Sequence, residues 1–359
     1  MLPAAKQISW SPLCSIRHCG AEGSPVKIRS LALVLFVLIG ALLAMELVLT
    51  CGYPCYFADD VRAYCYSPEL GYRLKDSLCL RRSTDYQKET CTNKIGTVNF
   101  QDDFSKCQRL VFAVGDSFTQ GVGVPADASY PFQLDLLLNL KGDAYYPRYG
   151  VVNLGVGGYG TEQALLQIKR YQKQIGTPRY ILLLGNETDF RDDQNFRSGR
   201  IRRKMLEGNP RYSPLLIGSL QWLQYETEIG KRLTLLLRNE RDRAAKLPQT
   251  LDGVELQKPV LQKFINLSKE MHATLIVSWF PVYWTRELSP NYGALKQYAA
   301  ENNLAFADWY PLVSSVLENN PHLPATNAHS AGHYRTWINQ MIARAFARQI
   351  EGPPVPAGN

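Results

Sequence analysis

The chain has 359 residues, 45% of them apolar and 20% charged, which excludes a disordered or collagen-like protein and is enough to bury a sizeable core. Its formal charge is +8, but the excess is local: positions 197–246 carry twelve basic and five acidic side chains. A single basic segment, rather than a basic protein, is what the composition describes.

Positions 1–30 read as a short basic tail, with Lys6, Arg17, Lys27 and Arg29 against Glu22. Positions 31–50, LALVLFVLIGALLAMELVLT, hold one charge, Glu46. Twenty helical residues span about 30 Å, the hydrocarbon thickness of a bilayer. A signal anchor with its N-terminus in the cytosol follows from the positive flank, with the remainder on the periplasmic or extracytoplasmic side. A cleaved signal peptide is the competing reading; its basic n-region would be unusually long.

All eight cysteines precede residue 108. Cys14 and Cys19 lie before the apolar run, while Cys51, Cys55, Cys65, Cys79, Cys91 and Cys107 follow it. Six on an oxidising side predict three disulfides, two of them among Cys65, Cys79, Cys91 and Cys107, stapling a loop-rich collar over 51–107. The spacings lack the paired C-x2-C of a zinc site, and neither metal nor cofactor is expected.

From 108 to 350 short apolar runs alternate with amphipathic stretches. Strands are predicted at Arg109–Gly115, Val151–Leu154, Tyr180–Leu184, Ala273–Phe280 and Ala305–Trp309. Helices are predicted at Tyr130–Leu140, Thr161–Gln174, Val260–Met271, Tyr292–Asn302 and Tyr334–Gln349. This alternation is that of an α/β, doubly wound parallel sheet, which binds ligands at the C-terminal strand ends. An insertion over 197–258 interrupts it, and 351–359, rich in Pro and Gly, reads as a flexible tail.

Candidate chemistry collects at those strand ends. Gly115-Asp116-Ser117 follows the first strand, where a turn into a helix exposes a serine hydroxyl, although Asp and Ser also serve as helix caps. Asn153-Leu154-Gly155-Val156-Gly157-Gly158 follows the second, Gly185-Asn186-Glu187-Thr188-Asp189 the third, and Asn327-Ala328-His329-Ser330-Ala331-Gly332-His333 precedes the last helix. A nucleophile, backbone donors and a late histidine are what acyl transfer through a covalent ester needs. In that scheme the N–H groups of Ser117 and Gly158 and an amide hold the oxyanion. The glycine run lacks the G-x-G-x-x-G spacing and lysine of a nucleotide site.

These residues resemble the SGNH (GDSL-type) hydrolase family of bacterial membrane-anchored type. GDSFTQGVGVP matches its first block, and Gly158, five residues after Asn153, its second. The resemblance is nearly continuous from Arg109 to Asn195, with SPELGYRLK at 67–75 as lead-in, and it resumes near Val260. It implies a three-layer α/β/α fold and ester hydrolysis or acyl transfer, often on lipids or acetylated sugars. By this resemblance Ser117 is the nucleophile, His329 the base and Asn186 the oxyanion amide. His333 is then a helix-start residue. Two departures stand out. The family's Gly-x-Asn-Asp reads Gly-Asn-Glu-Thr-Asp, so Asn186 is shifted in register and Thr188 is an alternative occupant. Asn327 stands near the place of the Asp that supports the histidine. Such a neutral partner admits a weak or inactive enzyme, or a glycan-binding or complex-forming protein of the same fold, as the alternative function.

The expected partners are an acylated glycan or lipid and the membrane itself. The basic segment reads either as amphipathic helices with solvated faces or as a contact for anionic lipid or acidic polysaccharide. Nucleic acid is not expected outside the cytosol.

Overall fold

A computed structural model describes residues 25–52, 61–83, 87–140, 147–199, 213–234, 236, 253–281, 288–327 and 332–352. The chain divides into two units, Met1–Pro54 and Cys55–Asn359.

The first contains α1, Pro25–Gly52, whose stretch Ser30–Gly52 is long and apolar enough to cross a membrane. Its apolar residues surround the helix instead of forming a stripe, and Phe36, Leu43 and Leu47 are exposed. A helix apolar on all sides needs an apolar environment on all sides.

The second unit begins with two antiparallel hairpins where a loop-rich collar is expected. Strand β1 (Tyr64–Ser67) pairs with β2 (Gly71–Leu74), and β3 (Cys79–Ser83) with β4 (Gln87–Cys91). Cys79 and Cys91 are register partners, and a disulfide joins them. The second predicted bridge among the four collar cysteines does not form. Cys107 is a half-buried thiol whose pKa burial pushes up to about 11. Cys55 lies outside the described residues.

Five parallel strands form the main sheet: β5 (Arg109–Gly115), β6 (Tyr149–Asn153), β7 (Tyr180–Asn186), β8 (Thr274–Phe280) and β9 (Ala305–Phe306). Their spatial order is β6-β5-β7-β8-β9. Helix α2 (Ser117–Gln120) follows β5, and α3 (Tyr130–Asn139) carries the chain across to β6. The later crossovers run the other way. They are α4 (Thr161–Ile175), then α5 (Asp189–Arg197), α6 (Pro214–Glu226) and α7 (Gly253–Glu270) between β7 and β8, and α8 (Pro290–Glu301) before β9. Helices α9 (Tyr310–Asn319) and α10 (Thr336–Glu351) complete the chain.

Because such crossovers are right-handed, reversing their direction places helices on opposite faces of the sheet. Accordingly α3 packs on α10, while α4 packs on α7 and α7 on α8. The result is a three-layer α/β/α domain. Leu134 and Leu138 of α3 and Ile338, Ile342 and Phe346 of α10 bury one face; Ala164 and Ile168 of α4 and Leu261 and Phe264 of α7 bury the other. Strand residues Val111–Val114 and Ile181–Leu184 are covered from both sides, which explains their continuous rather than alternating apolarity. Four helices, α3, α6, α8 and α9, carry Pro in their first two positions, where the missing N–H has no intrahelical acceptor.

Strand β5 lies between β6 and β7, so the connections leaving it and arriving on its other side diverge at its C-terminal end. That is where a crevice opens in a doubly wound sheet. Ser117 stands two residues past the end of β5.

Candidate active site

Asp116 caps α2, its Oδ1 accepting from the Phe118 N–H at 2.9 Å. The capping role and the exposed-serine role therefore fall on adjacent residues. Asp116 fixes the turn, and Ser117 carries a half-buried hydroxyl whose Oγ lies 2.8 Å from Nε2 of His333.

His333 is held from three sides. Its ring stacks against Phe118, with centroids 4.6 Å apart, and Phe118 packs on Phe280. The strap that carries it pairs with the preceding segment: Asn327 donates its backbone N–H to the His333 carbonyl at 3.0 Å, and Thr326 bridges Tyr334. Tyr334 packs on Phe280 and donates its hydroxyl to the Pro281 carbonyl at 2.6 Å. Beneath the ring is Gly123, with φ +103°, where an added Cβ would fall 2.6 Å from that of His333. Only glycine allows that approach.

Other expected residues fall as follows. His329 lies outside the described residues, and the histidine brought to Ser117 is His333. Helix α10 begins at Thr336, so His333 sits in the strap ahead of the helix rather than at its start. Asn327, expected to orient the base, donates Nδ2 to the Gly123 carbonyl at 2.6 Å, which ties the strap to the turn after α2. Thr326, Asn327 and His333 are thus one structural piece.

The Gly157–Gly158 turn approaches from the end of β6. An added Cβ on Gly157 would lie 3.6 Å from that of Ser117, and Gly158 has φ +75°. The collar fixes this turn. Tyr72 of β2 donates to the Gly157 carbonyl at 2.6 Å, and Gln120 Oε1 accepts from the Gly157 N–H at 2.7 Å. Tyr159 donates its hydroxyl to the Tyr72 carbonyl, while Gln163 donates to that of Leu70 at 2.7 Å. Leu70, Tyr72, Leu74, Val156 and Tyr159 form a small second core. The collar is therefore a wall of the site as well as a stapled segment.

Asn186, at the end of β7, is buried and donates Nδ2 to Asp116 Oδ2 at 2.9 Å. Its Oδ1 accepts from the Thr188 N–H at 2.7 Å. One of its two amide hydrogens is thereby used inside the turn.

Three buried carboxyls, Asp116, Asp189 and Asp193, and the half-buried Asp192 lie at and behind this turn, a feature that sequence reading missed. Asp189 accepts from the Asn186 N–H at 3.0 Å, and Asp193 from Thr161 Oγ1 at 2.7 Å and the Glu162 N–H at 2.9 Å. Burial pushes Asp116 and Asp193 up to about 6 and Asp192 to about 7. Burial, and then the Asp116 charge, pushes Asp189 well up. The raised values fix a sign. A folded-state pKa above the unfolded one contributes stability that is complete below about pH 4 and lost as pH rises through the folded value. Asp192→Asn, which removes a carboxyl raised to about 7, is expected to raise the melting temperature by several degrees at pH 8. That corresponds to about 2–4 kcal/mol, falling to about 1 kcal/mol at pH 4.5. Thermal unfolding at the two pH values checks it; equal effects at both would assign the carboxyl a role other than charge burial.

No protein-family model matches the chain, and no curated protein matches it in sequence. Among solved structures, it is similar to a lipolytic protein of the G-D-S-L family from Desulfitobacterium hafniense DCB-2, with 14% identity, TM-score 0.38, and coverage of 67% of this chain and 99% of that one. It is also similar to a member of the lipolytic G-D-S-L family from Veillonella parvula DSM 2008, with 14% identity, TM-score 0.37, and coverage of 66% and 94%. A third is an acetylxylan esterase, as a catalytic mutant, from Geobacillus stearothermophilus, with 16% identity, TM-score 0.40, and coverage of 70% and 98%.

Proposed function

We propose that this chain is a serine esterase or O-acyltransferase of the SGNH type, acting on an ester of a cell-envelope glycan or lipid. The observation that carries the reading is the 2.8 Å contact between Ser117 Oγ and His333 Nε2 at the C-terminal end of β5. A serine hydroxyl becomes a useful nucleophile only when a neighbouring base takes its proton.

In this reading His333 Nε2 accepts the Ser117 proton as Oγ attacks the ester carbonyl. The C–O bond to the alcohol then breaks, and the imidazolium returns its proton to that alcohol. The acyl group passes from Ser117 to water or to a second hydroxyl. The Gly158 N–H, on a turn held by Tyr72 and Gln120, is the oxyanion donor best placed by its surroundings. The remaining Asn186 amide hydrogen and the Ser117 N–H are the other candidates. Asn327 acts through the strap and Gly123 as a positioning residue.

The membrane-length helix favours an ester held at the envelope, with the catalytic unit on the extracytoplasmic side. A fluorophosphonate probe applied to the full chain tests the reading. Covalent labelling at Ser117, removed by Ser117→Ala, is expected. A folded protein that takes no label would instead fit the non-catalytic, glycan-binding alternative.

A further inference from the structure

Helix α6 has a face that the catalytic unit does not cover. Ile217 is buried, and Gln221 and Gln224 on the same side are half-buried. On the opposite side Leu215 is 84% exposed, Trp222 62% and Leu216 56%, with Leu220 and Leu223 beside them. At 100° per residue these five side chains form one continuous outward surface, broken only by Ser219 and Glu226. Isolated exposed leucines are ordinary, but a contiguous patch of this kind on a single helix marks a contact surface.

Two features specify what covers it. The helix lies inside the basic segment: Arg200, Arg202, Arg203 and Lys204 precede it, and Lys231, Arg232, Arg238, Arg241, Arg243 and Lys246 follow. Leu and Trp on one side with clustered Arg and Lys flanking them is the composition of a helix lying in an anionic lipid interface. Second, Glu226 at the end of α6 forms an ion pair with Arg62, where the chain enters the catalytic unit.

We propose that α6 lies in the surface of an anionic bilayer, with Trp222 and its neighbouring leucines in the headgroup–acyl boundary and Lys231 and Arg232 on anionic headgroups. The catalytic unit is thereby seated on the lipid surface by a contact of its own. An acyl ester presented by a lipid, or by a glycan assembled on one, is then offered at a fixed depth.

The test uses the full chain reconstituted in phosphatidylcholine vesicles, with and without phosphatidylglycerol, carrying brominated acyl chains. Bromine quenches indole fluorescence only within the bilayer. The expected result is that Trp222→Phe removes a distinct part of the quenching, and that this part shrinks about twofold or more at raised salt or without phosphatidylglycerol. Leu216→Ser with Leu223→Ser, both at exposed positions, should reduce the same component while leaving the melting temperature unchanged. Three results would overturn the proposal. One is bromine quenching identical in wild type and Trp222→Phe. Another is shielding of Trp222 from acrylamide that disappears as protein is diluted within the lipid, which assigns the face to a second copy. The third is shielding that requires an added polyuronate, which assigns it to an acidic glycan.

Discussion

Ser117→Ala is expected to remove turnover of short acyl esters, by about 10⁴-fold or more, a barrier increase of at least about 5.5 kcal/mol. The argument is local. Among the described residues the hydroxyl's hydrogen-bond partner is His333, while Asp116 and the Phe118 N–H hold the turn without it. Removing Oγ therefore takes away the attacking atom and leaves its scaffold. Folding stability should change by no more than about 1 kcal/mol, as for a half-buried site outside the core. Initial rates on a p-nitrophenyl ester, with thermal unfolding of the same preparation, separate the two effects. Wild-type rates in the variant would remove the enzyme reading, whereas loss of both activity and fold would show that the serine is structural.

Much of the scaffold was legible because its signals are local. Five apolar runs bounded by Gly or Pro became five strands with displacements of three residues or fewer at their ends, since burial on both faces leaves nothing polar to confuse the period. The helix expected from Val260 starts instead at Gly253. Pro259 reads as a boundary, yet it is accommodated inside α7, where Val254 and Gln257 on the earlier turns are already buried. The hairpins at 64–74 and 79–91 were hidden for a different reason. Their strands are four or five residues long, too short for alternation to stand out. These aspartates were hidden because charge in a sequence reads as surface: Asp189, Asp192 and Asp193 share one face of α5 by spacing, and only the packing of α4 against that helix turns the face inward. Ser117 and Gly158 could be singled out because each follows a strand in a local motif. The choice between two histidines four residues apart depends on the course of a strap, and that is set by pairing of Thr326 with Tyr334 rather than by local pattern.

That choice gives the second large effect. If His333 is the base, His333→Ala should lower ester turnover by about 10³–10⁴-fold, comparable to losing the nucleophile, because the two act as one unit. His329→Ala should then retain most activity. The two variants measured on one substrate decide between the ring at 2.8 Å from Ser117 and the residue favoured by the family resemblance; loss only in His329→Ala would transfer the base role to it. Asn327→Asp sharpens the comparison. In the observed arrangement the residue 327 amide donates to the Gly123 carbonyl, so a carboxylate would set two acceptors against each other at 2.6 Å. The strap would shift, the His333 ring would leave Ser117, and turnover should fall about 10-fold or more together with the melting temperature. A carboxylate that instead reached an imidazole would stabilise its positive charge as the serine is deprotonated. A rise in turnover of Asn327→Asp, abolished by His329→Ala but not by His333→Ala, would therefore show that the working site uses the other histidine.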